Sequence, residues 1–354
     1  MGDFRTFTHA RRVPAVPMKP VVDAAGWLPD ELGDVASWSY RFSEDDVEEL
    51  AAAVAAFKKS GLPIVDVDRE TFRLGPLAAT LADVRHELMD GRGMVMLQKF
   101  PVDRMDREAV AIAYLGIGSY IGNRTIQNKS GHVIGHVRDI GRDYGVERGY
   151  GTRSELRFHA DGCDYVGLLC LHTAKSGGES RVASSVAVYN TILSRRPDVA
   201  ETLLGDFYRT NNGDVTKGER PWFKQPVFSF TEGYFSAMGL GSTIEKAQFL
   251  PDVPKLTSRQ IEAIKIYRDT VAECAYDMPF FPGDIQLLNN LVTLHSRHSF
   301  EDWPEPHRKR HLLRLWLSDP AGRPIPEDQK RGRSRLGIVI DGCKPVVPLE
   351  AAAA

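Results

Sequence analysis

The sequence predicts a single α+β domain with a β-sandwich or barrel core. Strand-like segments gather in the middle and at the end of the chain, with helical segments before and between them. That order suits segregated layers rather than alternating βαβ units. No GxGxxG or Walker loop follows a strand, which disfavours nucleotide-binding folds, and no internal repeat is visible. With 354 residues, 42% hydrophobic and 26% charged, the chain can bury a sizeable core. A net charge of −2 gives no electrostatic case for nucleic acid or an anionic membrane surface. No apolar run reaches the roughly 18 residues that a membrane span needs. The expected partner is a small-molecule substrate, with homo-oligomerisation left open. Cys163, Cys170, Cys274 and Cys343 form no CxxC pair. A disulfide scaffold is not indicated, and a reduced, cytoplasmic setting is the default.

Residues 1–40 are proline-rich and read as an irregular arm, with Trp27 and Trp38 covering the body. The domain itself is expected over 41–320. Ser43 opens a helix with Asp46 at its third position, a capping box. Val47, Leu50, Val54 and Phe57 form its apolar face, and Gly61 ends it. A second helix runs through Leu77, Leu81, Val84 and Leu88 to Gly91. Gly93 to Leu97 is a short apolar run read as a buried strand, and Asp106 to about Tyr120 as a third helix. Residues 121–157 are rich in Gly, Asn, Arg and His. They form either an active-site loop or lid, or a surface excursion with hairpins. A strand through His159 and an apolar strand over Tyr165–Leu171 follow. A turn at Ser176-Gly177-Gly178 comes next, then two helices split by Pro197, the second reaching Phe207. Thr257 and Gln260 form another capping box, with Ile261, Ile264, Tyr267 and Val271 as a core stripe. Ile285 to His295 reads as one strand. Residues 310–317 form another, with Leu313, Leu315 and Leu317 on one face and Arg310, Leu312, Arg314 and Trp316 on the other. Residues 321–354 read as a surface tail, and the closing Leu349-Glu350 with four alanines is set outside the fold.

The chemistry centres on Phe158-His159-Ala160-Asp161. In a strand, residues i and i+2 share a face, so one imidazole and one carboxylate could grip the same ion. His295 is a candidate third ligand. Two histidines and a carboxylate with open positions suit non-haem iron(II) oxygenases. His298 competes with His295, but three residues on, it faces the other side of a strand. His172 reads as a structural histidine, His307 and His311 as part of a solvated segment, and one of His132 and His136 as a substrate contact.

In order along the chain stand His159-X-Asp161, Gly177-Gly178-Glu179-Ser180, Phe281-Pro282-Gly283-Asp284, His295, and Arg308-Lys309-Arg310-His311-Leu312-Leu313-Arg314. In this set the chain resembles the taurine dioxygenase-like branch of the iron(II)/2-oxoglutarate-dependent oxygenases. The resemblance implies a double-stranded β-helix, or jelly roll, with flanking helices. It implies His159, Asp161 and His295 as iron(II) ligands, and 2-oxoglutarate and O2 as co-substrates. The distal carboxylate of 2-oxoglutarate needs a forked cation, which Arg supplies and Lys does not. Arg310 or Arg314 fits that role: Arg310 by position, with Arg314 assisting it or holding an anionic substrate group. Ser180 stands where relatives carry a Thr hydroxyl. Asp161 argues for oxygen chemistry, since related halogenases lack this carboxylate.

The implied reaction hydroxylates an unactivated C–H bond, releasing succinate and CO2. Desaturation, ring formation and epimerisation use the same ligands. The substrate is expected to be an amino acid, a small acid or a specialised-metabolism intermediate, met by Gln127, Arg153, Ser154, Glu155 and Arg314. Two other classes compete. A zinc hydrolase could use the same triad but leaves Arg310, Arg314 and Ser180 without a task. A binding module that had lost catalysis would have no reason to keep the triad. Asn289 and Asn290 are candidates for orienting the ligands.

Overall fold

The computed structural model describes residues 12–141, 151–211, 220–327 and 342–350. Parts of the N-terminal arm, of the 121–157 loop and of the C-terminal tail lie outside the described residues. Ser43 caps helix α1 (Glu44–Ser60) through the reciprocal bonds that its sequence predicts, and Gly61 closes it with φ 70°. Asp106 caps α3 (Arg107–Ile121), and Gly75-Pro76 starts α2 (Pro76–Asp90). Later helices are α4 (Ser185–Arg195), α5 (Pro197–Leu203), α6 (Thr243–Ala247) and α7 (Ser258–Glu273).

The larger sheet holds β1 (Ser39–Arg41), β2 (Met94–Gln98), β14 (Ile285–Asn289), β6 (Tyr165–His172), β17 (His311–Ser318) and β3 (Asn123–Arg124) in that spatial order. In addition, β4 (Ile134–Val137) pairs with β17. The smaller sheet has the order β13 (Ala275–Met278), β8 (Ser180–Ser184), β15 (Thr293–Arg297), β5 (Leu156–His159). Short ribbons pair β7 (Ser176–Gly177) with β16 (Phe300–Glu301), β9 (Phe207–Thr210) with β10 (Trp222–Gln225), and β11 (Phe228–Thr231) with β12 (Tyr234–Ala237).

Strand alternation sorts the side chains into layers. Met94, Met96, Val166, Leu288 and Trp316 of the larger sheet meet Val182 and Met278 of the smaller one. Val95, Leu97, Leu287, Leu313, Leu315 and Leu317 point the other way and pack under α1, α2 and α3. Ala183 and Leu294 pack with α4, α5 and α7. The result is the jelly-roll sandwich with flanking helices.

Several expectations need correction. Ile285–His295 is two strands in different sheets, broken at Asn290–Val292. α5 stops at Leu203, and Phe207 starts a strand. Ile261 is 57% exposed and stands off the α7 stripe. The stretch after Ser318 is not simply a surface tail. Asp319 accepts from Tyr165 and pairs with Arg85, and Arg323 forms a buried ion pair with Asp23. Leu349 also packs on the α1–α3 core.

His311 is buried, not solvated. Its Nε2 lies 2.8 Å from His136 Nδ1, and His136 Nε2 lies 3.0 Å from the Pro348 carbonyl. Burial, then the neighbouring His136 and Arg107, push the His311 pKa down to about 2, and burial also lowers that of His136. The folded state thus binds fewer protons than the unfolded chain below pH ~6.5, so stability is present above that pH and drains as pH falls. The His311–His136 pair should make this loss deepen as the pH falls below about 6.5. Denaturant melts at pH 7.5 and 5.5 should show it, and His311→Phe should flatten the difference.

Candidate metal centre

The register of the smaller sheet brings the two histidines together. β15 pairs with β5 so that His295 lies directly opposite His159, and the ring centroids are 4.3 Å apart. His159 Nδ1 lies 2.9 Å from the Arg157 carbonyl. A carbonyl only accepts, so that nitrogen carries the proton and Nε2 keeps its lone pair for a ligand.

β5 ends at His159, and Asp161 lies two residues past it, not on the same strand. Its backbone N–H donates to Asn290 Oδ1 (3.0 Å) in the turn between β14 and β15, and Asn290 Nδ2 donates to the Cys163 carbonyl (3.1 Å). Asn290 therefore supports the site through Asp161. Asn289 is occupied elsewhere, donating to the Leu88 carbonyl.

One ligand atom from each of His159, Asp161 and His295 lies within 4.8 Å of the others. Asp161 and His295 are 7% and 6% exposed. Burial would raise the Asp161 pKa, but Arg314, both imidazoles and the Trp316 N–H together hold it at about 2. Burial, then the neighbouring His159, lowers His295 to about 3. Near neutral pH Asp161 is therefore a carboxylate and His295 a neutral imidazole, the states in which these two side chains bind a divalent metal. His295 Nδ1 is buried with no protein partner among the described residues. The donor set fits a divalent ion.

His298 lies on the flank of the sheet, 3.4 Å from Asp277, and is not part of the cluster.

Near the centre, two arginines from β17 and its start take different posts. Arg310 is 4% exposed; its Nη2 donates to the Gly178 carbonyl (3.3 Å), and its Nη1 is buried with no partner among the described residues. Burial lowers its pKa to about 10, so it stays charged. Gly178 has φ 78°, and a Cβ there would come within 3.1 Å of Arg310 Nε. Glycine thus lets the turn close onto the guanidinium. Ser180, two residues on, is buried and bonded to Gln286 (3.0 and 3.2 Å). Arg314 reaches both Asp161 oxygens at 3.3 Å and donates through Nε to Gln127 Oε1 (2.9 Å).

The expected substrate residues divide. Gln127 is 1% exposed, and its amide donates to the Val133 and Arg314 carbonyls, both at 2.8 Å. That places it behind Arg314 rather than in an open pocket. Arg153, Ser154 and Glu155 are exposed; Arg153 pairs with Asp139 (3.1 Å) and Glu155 lies 3.8 Å from Arg181. His136 is taken by His311 and Pro348. Two residues were missed in the sequence. Arg297 is buried and donates to the Thr152 carbonyl (3.0 Å) and to that of Ser154, pinning this segment to β15. Trp316 donates its indole N–H to Asp161 Oδ2 (2.9 Å). The alternation of β17 put Trp316 on the face of Arg314, which was the available signal.

A jelly roll that brings two histidines and a carboxylate together suits a metal-dependent enzyme. Residues 42–316 match the family described as taurine catabolism dioxygenase TauD, TfdA family, and the chain belongs to that family. It is accordingly an iron(II)- and 2-oxoglutarate-dependent oxygenase.

Among relatives, "FR-33289 synthase" of Streptomyces rubellomurinus is 29% identical over 319 residues, covering 87% of this chain and 93% of the relative. "Taurine hydroxylase-like protein SAT17" of Stachybotrys chartarum is 31% identical over 312 residues, covering 84% and 79%. Solved structures with the same fold include asparagine oxygenase with Fe(II), 3-hydroxyasparagine and succinate. It has a TM-score of 0.62 at 18% identity, covering 79% of this chain and 93% of its own. The non-haem iron oxygenase OrfP with Fe and alpha-ketoglutaric acid has a TM-score of 0.59 at 14% identity, with the same coverage.

Proposed function

We propose that the enzyme hydroxylates an unactivated C–H bond of a small charged molecule, an amino acid, small acid or specialised-metabolism intermediate. The observation that carries this reading is the assembled His159–Asp161–His295 triad, with a buried Arg310 whose Nη1 has no hydrogen-bond partner among the described residues as the candidate for the co-substrate carboxylate. With iron(II) bound, O2 and 2-oxoglutarate supply the oxidant, and succinate and CO2 leave. The chain's own residues do the rest. His159, Asp161 and His295 would hold the ion. Arg310 takes the distal carboxylate of 2-oxoglutarate, for which its fork is matched, with the Ser180 hydroxyl turning from Gln286 to assist. The exposed Arg153–Glu155 segment, pinned by Arg297, would meet the substrate. Arg314 contributes through Asp161, and Gln127 serves as its support.

Hydroxylated amino acids in the asparagine oxygenase and OrfP structures support the substrate class. A cytoplasmic setting fits the four free thiols, and among the described residues no helix is long and apolar enough to cross a membrane.

Screening charged amino acids and small acids for succinate release, with mass analysis of the product, tests the reading. One class should stimulate succinate formation and return a product with one added oxygen atom. A product lacking two hydrogens, or of unchanged mass, would replace hydroxylation by desaturation or ring closure, or by epimerisation.

A further inference from the structure

We propose that Trp316 is a positioning residue for the metal carboxylate. Its indole N–H, with the Gln127–Arg314 pair beside it, holds Asp161 in one orientation. The proposal rests on the His159–Asp161–His295 metal centre.

The three ligands are not equally anchored. His159 and His295 face each other across a paired ladder, so strand pairing sets both. Asp161 lies past the end of β5, and among the described residues its backbone is anchored by its bond to Asn290. Rotation of a carboxylate about its last torsion is broad and two-fold. Without side-chain partners, Asp161 could exchange its oxygens or offer both to the ion, closing a position that the reaction needs.

The partners come from the most firmly held strand nearby. β17 is flanked on both sides, with Arg314 opposite Leu168 of β6 and Gly135 of β4, and Trp316 opposite Val166. Residues i and i+2 share a face, so both donors reach Asp161. The indole N–H can only donate, and at 2.9 Å it commits Oδ2. Arg314 spans both oxygens and lies with its guanidinium carbon 4.8 Å from the centroid of the Trp316 ring. Gln127 fixes the Arg314 fork by accepting from Nε. Gly135 makes room for that amide, since a Cβ there would come within 2.8 Å of Gln127 Oε1. Any turn of the carboxylate away from this orientation stretches the indole bond.

Cobalt(II), an oxygen-inert stand-in for iron(II), provides the test on the full chain. Trp316→Phe keeps the ring and removes the donor. It should weaken cobalt(II) binding by about tenfold, the lower end of what outer-shell partners contribute. It should also alter the cobalt(II) d–d absorption and, with iron(II), raise the succinate released per hydroxylated product. Gln127→Met, further from the ion, should move the same readouts less. Asp161→Ala separates the two ideas: wild-type cobalt(II) affinity and spectrum in that variant would defeat the metal-centre reading itself. If Asp161→Ala weakens binding and alters the spectrum while Trp316→Phe binds with wild-type affinity and spectrum, the positioning role is overturned and the centre stands. Should Trp316→Phe melt early, Gln127→Met decides. Wild-type affinity, spectrum and coupling in a fully folded Gln127→Met would also overturn the proposal.

Discussion

Replacing His295 with alanine is expected to abolish stoichiometric iron(II) binding and, with it, turnover. The loss should exceed the roughly 10–100-fold that removal of an outer-shell partner costs a metal site. His295 is central because the β15–β5 register places it against His159 while its Nε2 comes within 3.8 Å of Asp161 Oδ2. Among the described residues no other imidazole joins the cluster. His298 lies three residues on and pairs with Asp277. His298→Ala should therefore bind iron(II) as the wild type does. The apo fold should survive His295→Ala, because Asp161 keeps its bonds to Arg314 and Trp316. Circular dichroism and an iron(II) titration of both variants check this. Lost binding in His298→Ala together with retained binding in His295→Ala would mean that the third ligand is misassigned.

The second large effect is expected at Arg310. Removing one partner of a buried charge pair costs about 2–5 kcal/mol, so Arg310→Ala should raise the KM for 2-oxoglutarate on the order of a hundredfold. Arg310→Lys should fall between, since an ammonium supplies the charge without the fork. Stability should move the opposite way. Nη1 is buried with no hydrogen-bond partner among the described residues, and an unbonded buried donor is costly. Arg310→Leu is therefore expected to melt no lower than the wild type while losing its response to 2-oxoglutarate. Steady-state kinetics and thermal melts with and without 2-oxoglutarate measure both. If Arg314→Ala raises the 2-oxoglutarate requirement and Arg310→Ala does not, the two arginines exchange roles.

What could be read from the sequence follows the range of the interactions. The capping boxes at Ser43/Asp46 and Thr257/Gln260 are local, and both formed as spaced. The two faces of 310–317 were legible because alternation is intrinsic to a strand. The break at Asn290 was not. No Gly or Pro marks it, and the apolar residues on both sides continue the pattern. The turn is fixed by Asn290 meeting Asp161, 129 positions away in sequence. Likewise, the charged stretch after Ser318 read as surface because its partners are remote: Asp23 lies 300 positions from Arg323. Ile261 fits the helical period, yet sits in the first turn of α7 where nothing covers it. The site divides the same way. Residue types and order singled out His159, Asp161, His295 and Arg310, whereas the tasks of Gln127, Arg297 and Trp316 depend on which strands become neighbours.

The central claim is that one site binds iron(II) and 2-oxoglutarate together. Anaerobic titration of the metal-free protein tests it most directly, with visible absorption as the readout. A bidentate keto acid on iron(II) gives a weak metal-to-ligand charge-transfer band. The band should appear only when both components are present, and should be absent in His295→Ala. No band in the wild type, with zinc held tightly instead, would contradict the account and bring the hydrolase forward.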